Sequence, residues 1–148
     1  SVDIEDLITR IAQRFQFGSI PLINTSIVQS QIFVDRLRIE RVLVNLLGNA
    51  AEHAGGATSI TIHQEKALLT VHVDDNGPGL PLDERGEVFS RFARGRNAPR
   101  GTGSGLGLAI AMEHAKVMNG MITISDRPEN NGSGLRFTFT IPVESDVS

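Results

Sequence analysis

The chain contains no cysteine, which excludes disulfide scaffolds, zinc-thiolate clusters and cysteine nucleophiles and permits a reducing compartment. No apolar run approaches the ~20 residues that a membrane span needs, and no signal-peptide pattern opens the sequence, so a soluble chain is expected. Lysine is scarce: Lys66 and Lys116 are the two present, and neither completes the Gly-Lys-Ser/Thr of a Walker phosphate loop. The net charge of -3 gives no global attraction to nucleic acid or to an acidic membrane surface, so any anion site must come from local clustering. The four histidines, His53, His63, His72 and His114, lie far apart with no metal-ligand spacing. What remains is ordinary for one globular domain: 148 residues, 40% hydrophobic and 21% charged.

Glycine is the residue in excess. Eight of the 15 glycines fall between Gly77 and Gly107, a stretch that also carries Arg85, Arg91, Arg94, Arg96 and Arg100. From Val88 to Gly105 there are four arginines and no acid. Glycine permits close backbone approach, and arginine offers planar donors suited to phosphate. The composition fits an anion-binding loop, and it equally fits a long solvated surface loop.

Apolar spacing predicts a first amphipathic helix from Asp3 to about Phe15 and a second from Asp35 to about Ala54, stopped by Gly55-Gly56. A third is predicted from Ser104 to Met118, closed by Asn119-Gly120. Ile20 to Ile23 and Ile32 to Val34 read as short strands, and Ser59 to Glu65 with Leu68 to Asp75 as a hairpin of period two. Met121 to Ser125 and Leu135 to Pro142 read as two more strands around a turn at Arg127 to Gly134. In the last strand Leu135, Phe137, Phe139 and Ile141 mark a buried face, and Arg136, Thr138 and Thr140 a wet one. The expected fold class is α/β, with helices covering one face of a mixed, largely antiparallel sheet.

Three segments carry chemistry. On the second helix Arg38, Arg41, Asn45, Asn49, Glu52 and His53 share one side, opposite Ile39, Leu43, Leu46, Leu47, Ala50 and Ala54. An asparagine pair inside a strong helix is unusual, and an amide oxygen is a suitable magnesium ligand; taken alone, however, the pair is more readily explained as an exposed polar face. The hairpin runs into Asp75-Asn76-Gly77-Pro78-Gly79. There a carboxylate can accept from a planar amine while glycines admit a flat ring, although the composition is also that of a common turn. Gly101-Thr102-Gly103-Ser104-Gly105-Leu106-Gly107-Leu108 opens the third helix, where free N–H groups and the dipole favour phosphate. It lacks the spacing of a dinucleotide fingerprint. Between the last two, Phe89 and Phe92 suit a short amphipathic anchor that leaves Ala93 to Gly101 free to hinge.

The ordered set of asparagine helix, Asp-x-Gly-x-Gly, paired phenylalanines and Gly-x-Gly-Leu-Gly-Leu resembles the catalytic ATP-binding domain of bacterial sensor histidine kinases. That family belongs to the superfamily of gyrase, heat-shock chaperones and mismatch-repair ATPases. The resemblance covers nearly the whole chain and implies a two-layer α/β sandwich of the Bergerat type, with Mg-ATP as ligand. It implies magnesium coordination by Asn49, phosphate proximity for Asn45, adenine packing by His53 and reading of the adenine amine by Asp75. It further implies Gly77 and Gly79 beside the base and Arg94 facing phosphate. Gly103, Gly105, Leu106 and Gly107 belong to the glycine box around the phosphates. Glu52 departs from the basic residue many members carry three positions after the magnesium asparagine, and a compensating charge would come from a cation, Arg94 or Arg100.

The resemblance also separates kinds of ATP user. Water-activating ATPases and anti-sigma serine kinases of the superfamily carry a glutamate base where this chain has Asn45, and an amide takes no proton at neutral pH. A neutral imidazole needs no such base, which favours transfer to histidine. The alternatives are a serine kinase of the anti-sigma type and a nucleotide-binding regulatory module without transfer. None of the four histidines stands in a phosphoacceptor context, so residues 1–148 are expected to be the catalytic domain alone, without the dimerisation and phosphoacceptor domain and unable to autophosphorylate by itself. Expected partners are that histidine-bearing domain and a response regulator, with no nucleic acid and no membrane contact. The isolated domain is expected to be a monomer from the cytoplasmic portion of a membrane-anchored sensor.

Overall fold

Two aspartates start the first two helices. Asp3 ends strand β1 (Val2–Asp3) and caps α1 (Ile4–Gln13), its Oδ1 accepting from Asp6 N–H at 3.0 Å. After strands β2 (Leu22–Ser26) and β3 (Gln31–Phe33), Asp35 caps α2 (Arg36–Ala54), accepting from Arg38 N–H at 3.2 Å. Each bond satisfies a donor that the first helical turn leaves open. The chain is described by a computed structural model over residues 2–14, 22–26, 31–54, 57–65, 67–77, 79, 83, 107–127 and 134–145. Helix α1 stops two residues before the apolar spacing predicts, with Arg14 N–H turning onto Ile11 O at 3.0 Å.

The hairpin forms as predicted. Strands β4 (Ala57–Glu65) and β5 (Leu68–Asp75) pair antiparallel, with a bulge between Ala57 and Ser59. Helix α3 (Gly107–Val117) ends as the Asn119-Gly120 pair predicts. Asn119 takes φ 60°, and Gly120 N–H reaches Ala115 O at 2.8 Å. A β-carbon at Gly120 would lie 2.3 Å from Thr140 O, so only glycine fits between this helix end and the sheet. Residues Ser104 to Leu106, at the predicted start of this helix, lie outside the described residues.

Strands β6 (Met121–Asp126) and β7 (Leu135–Pro142) complete a five-stranded sheet of order β2-β4-β5-β7-β6, antiparallel except for the parallel β2–β4 pair. Ile60, Ile62, Leu69, Val71, Val73, Phe137, Phe139 and Ile141 form one core with Leu7, Ile8 and Ile11 of α1 and Ile39, Leu43, Leu46 and Leu47 of α2. Helix α2 packs against both α1 and α3. This is the expected layer of helices on one face of a sheet. Among the described residues no helix is long and apolar enough to cross a membrane.

Three further features differ from the sequence expectation. Strand β2 runs past Ile23 through Asn24-Thr25-Ser26, polar residues that parallel pairing with β4, and not apolarity, holds at the sheet edge. A second sheet of order β1-β3-β8, with β8 at Glu144–Ser145, joins both ends of the described chain to β3. Strands this short carry no period, and their pairing is non-local. The outer face of the large sheet is also only half wet. His72 Nδ1 and Thr138 Oγ1 meet at 2.8 Å, and burial lowers the His72 pKa, helped by the nearby Arg136.

Candidate functional site

Along one side of α2 the side chains remain polar and open. Asn45 Nδ2 donates to Arg41 O at 2.8 Å, which ties the amide nitrogen to its own helix and leaves Oδ1 turned toward α3. A β-carbon on Gly107 would come within 3.3 Å of Asn45 Oδ1. The fold thus brings together Asn45 and Gly107, two residues of separate sequence motifs, and sets the N-terminal end of α3 against the asparagine face. From the other flank Arg38 Nη1 meets His114 Nδ1 at 3.1 Å. Since arginine only donates, this ring nitrogen is the acceptor.

Asn49 lies one turn beyond Asn45, half-buried and with no hydrogen bond to a described residue. Glu52 is exposed on the same side. The backbone of α2 places His53 in its last turn; the ring packing expected of it lies outside the described residues. So do Phe89, Phe92, Arg94, Arg100, Gly103, Gly105 and Leu106. Among the described residues no cluster of three His, Cys, Asp or Glu could hold a metal ion. The Asn49 amide oxygen is a hard donor of the kind a magnesium ion accepts.

The second part of the site is the end of β5. Ala57 is the register partner of Asp75 and follows the end of α2 by three residues, so Asp75 stands at the Asn49–His53 end of the helix. Successive residues of a strand face opposite sides, and the two neighbouring aspartates divide accordingly. Asp74 is 2% exposed on the outer face, held by Arg136 through Nε on Oδ1 at 2.8 Å and Nη2 on Oδ2 at 2.9 Å. Asp75 is 4% exposed and continues the core face of Leu69, Val71 and Val73. Its Oδ1 accepts from Gly77 N–H at 3.0 Å and from Leu135 N–H at 3.1 Å. Its Oδ2 takes no hydrogen bond from a described residue. Burial raises the Asp75 pKa, against the pull of the two amides and of Arg127, while Asp74 adds to the rise. A carboxylate set in a buried turn, with one oxygen held by two amides and the other open as an acceptor, fits the amine of a flat heterocycle. Gly79, at φ 80°, adopts the left-handed backbone that the glycine-rich continuation anticipates.

Three residues around Asp75 were not anticipated. Arg127 Nη1 donates to Asp75 O at 3.1 Å and also to Asn76 Oδ1. Gly134 takes φ 77°, and a β-carbon there would lie 2.1 Å from Asp75 O, so the return into β7 presses directly on the end of β5. Arg136, expected on the wet face, is instead only 19% exposed and neutralises Asp74. Its signal was the Asp74-Asp75 pair itself, since adjacent acids at a strand end call for a countercharge. Nothing local to Arg127 or Gly134 announces their partners.

The family model described as histidine kinase-, DNA gyrase B- and HSP90-like ATPase matches residues 34–145. The chain is 36% identical over 143 residues to the signal transduction histidine-protein kinase AfsQ2 of Streptomyces coelicolor, covering 95% of this chain and 26% of that protein. Identity to the sensor protein KdpD of Escherichia coli is 38% over 146 residues, covering 96% of this chain and 16% of KdpD. The chain thus spans about a quarter or less of these relatives. The solved mycobacterial sensor histidine kinase MprB superposes with a TM-score of 0.79 at 27% identity, over 97% of this chain and 98% of that one. The catalytic domain of histidine kinase ThkA gives 0.71 at 26% identity, over 95% and 92%. With sequence and fold in agreement, the chain belongs to the histidine kinase-, DNA gyrase B- and HSP90-like ATPase family and is homologous to the catalytic domain of sensor histidine kinases.

Proposed function

We propose that this chain binds magnesium ATP between the asparagine face of α2 and the end of β5. It then donates the γ-phosphate to a histidine on a separate helical dimerisation domain of the same sensor kinase, which passes it to a response regulator. The observation that carries this reading is the buried Asp75 carboxylate with Oδ2 left open, displaced along α2 from the Asn45–Gly107 contact. Asn45 and His53 are about 12 Å apart along the helix axis, enough to separate a base from its phosphates. In this arrangement Asp75 accepts from the adenine amine, and Gly77 and Gly79 let the ring approach the backbone. Asn45, Asn49 and the N-terminal end of α3 face the phosphates. Arg94, Arg100, Gly103, Gly105 and Leu106 are assigned to the phosphate side by their motif positions alone. Bound magnesium would be held by Asn49 and would neutralise charge on the transferring group.

No described residue at the phosphate end is placed as a base. Asn45 carries an amide already engaged with Arg41 O, and a neutral imidazole nucleophile needs no proton removed before it attacks phosphorus. His63 and His72 sit on strands and His114 is held by Arg38, which supports a phosphoacceptor supplied from outside residues 1–148. An ATP-dependent domain of this kind works on the cytoplasmic side of its parent sensor. The test is titration of the purified chain with ATP, with and without magnesium, followed by radiolabelling alone and with the helical domain. Magnesium-dependent binding, with label appearing only on the added helical domain, is expected. Labelling of the chain by itself, or no nucleotide binding, would overturn the reading.

A further inference from the structure

Arg127 follows β6 and reaches back to the end of β5, where its Nη1 holds Asp75 O at 3.1 Å together with Asn76 Oδ1. The sheet does not need this contact to close. At the same end β5 is already paired to β4 through Asp75 and Ala57 and to β7 through Asp74 and Arg136. What the guanidinium does fix is the peptide plane between Asp75 and Asn76. That peptide leads directly into Gly77, whose N–H orients Asp75 Oδ1. With Leu135 N–H on the same oxygen, the direction left to Oδ2 is set by how firmly this short turn is held.

We propose that Arg127 is a positioning and specificity-determining residue. By clamping Asp75 O and Asn76 Oδ1 it aims Asp75 Oδ2, so that the site selects a base presenting an amino group there over one presenting a carbonyl. The inference rests on the nucleotide reading above. Electrostatics points the same way. Burial drives the Asp75 carboxyl toward its protonated form, the Arg127 charge opposes this, and Asp74 reinforces it even though Arg136 pairs with Asp74. A protonated Asp75 would offer an O–H and would no longer reject a carbonyl.

The experiment is equilibrium binding of magnesium ATP and magnesium GTP to the purified chain from mildly acidic to neutral pH, with thermal unfolding of each variant. Loss of a charged hydrogen-bonding group predicts that Arg127→Ala weakens ATP binding about tenfold at neutral pH and GTP binding less than about twofold. The acid limb of its ATP-binding profile should also move to higher pH. Arg127→Lys keeps the charge and a donor nitrogen, and the clamp itself uses a single nitrogen, so its acid limb should stay in place and most of the ATP preference should be kept. If Arg127→Ala lowers only the unfolding temperature and leaves the preference and the acid limb as in the unaltered chain, the residue is a structural staple and the proposal is wrong. Should Arg127→Ala fail to fold, Arg127→Met, which keeps the length of the stem and offers neither charge nor donor, takes its place, and an unchanged preference and acid limb there overturn the clamp equally. Failure of the unaltered chain to bind either nucleotide would overturn the nucleotide reading itself, and the proposal with it.

Discussion

Asp75→Asn separates the binding role of this residue from its structural one. The replacement keeps the shape, and its amide oxygen can still accept from Gly77 and Leu135 N–H, the bonds of 3.0 and 3.1 Å that Oδ1 now takes. The group facing the ligand becomes an NH₂, so a ligand amine meets a donor in place of an acceptor. A hydrogen bond to a charged group contributes about 1.5–3 kcal/mol, and magnesium ATP affinity should fall about ten- to a hundredfold. Stability should move the other way. The Asp75 pKa is raised, first by desolvation, so the folded chain keeps a proton that the unfolded chain has released, and stability falls as pH rises through that interval. Above that interval the ionised carboxylate is a net cost, which Asp75→Asn removes; below the ordinary carboxyl range both chains are neutral and the advantage disappears. Denaturant unfolding at neutral and acidic pH, beside nucleotide titration, measures both effects. Binding within about twofold of the unaltered chain, or a stability loss that grows toward neutral pH, would refute the reasoning.

Asn49→Ala should abolish the magnesium dependence of nucleotide binding while stability changes by no more than about 1 kcal/mol, because Asn49 makes no hydrogen bond to a described residue; retained magnesium dependence would remove Asn49 from the site. Gly134→Ala forces a β-carbon against Asp75 O at a φ of 77°, so it should destabilise the fold by about 1–3 kcal/mol and weaken nucleotide binding through Asp75; unaltered unfolding would show that the β7 return gives way freely. Asp74→Ala leaves the Arg136 guanidinium, 19% exposed, without its carboxylate and should cost about 3 kcal/mol. A double-mutant cycle with Arg136→Ala in which the two losses simply add would contradict that pairing.

The amino-acid order by itself determined the elements that local physics governs. Asp3 and Asp35 open helices because a side-chain oxygen meets a free N–H three residues on, and Asn119-Gly120 ends one because a left-handed residue returns an N–H to Ala115 O. The alternation of Leu69, Val71 and Val73 marks the core face of β5, the face that Asp75 continues. These signals act within a few residues and survive in any fold. Tertiary structure decided the rest. The β1-β3-β8 sheet joins distant pieces of chain, and β2 takes its extent from the strand it pairs with. Arg127, Gly134 and Arg136 lie more than fifty positions from Asp74 and Asp75, and only the pairing of β5 with β7 and of β7 with β6 carries them there. What type of ligand end Asp75 could serve was legible in the chain; how that carboxylate is buried, aimed and kept charged depends on contacts that exist only once the sheet has closed.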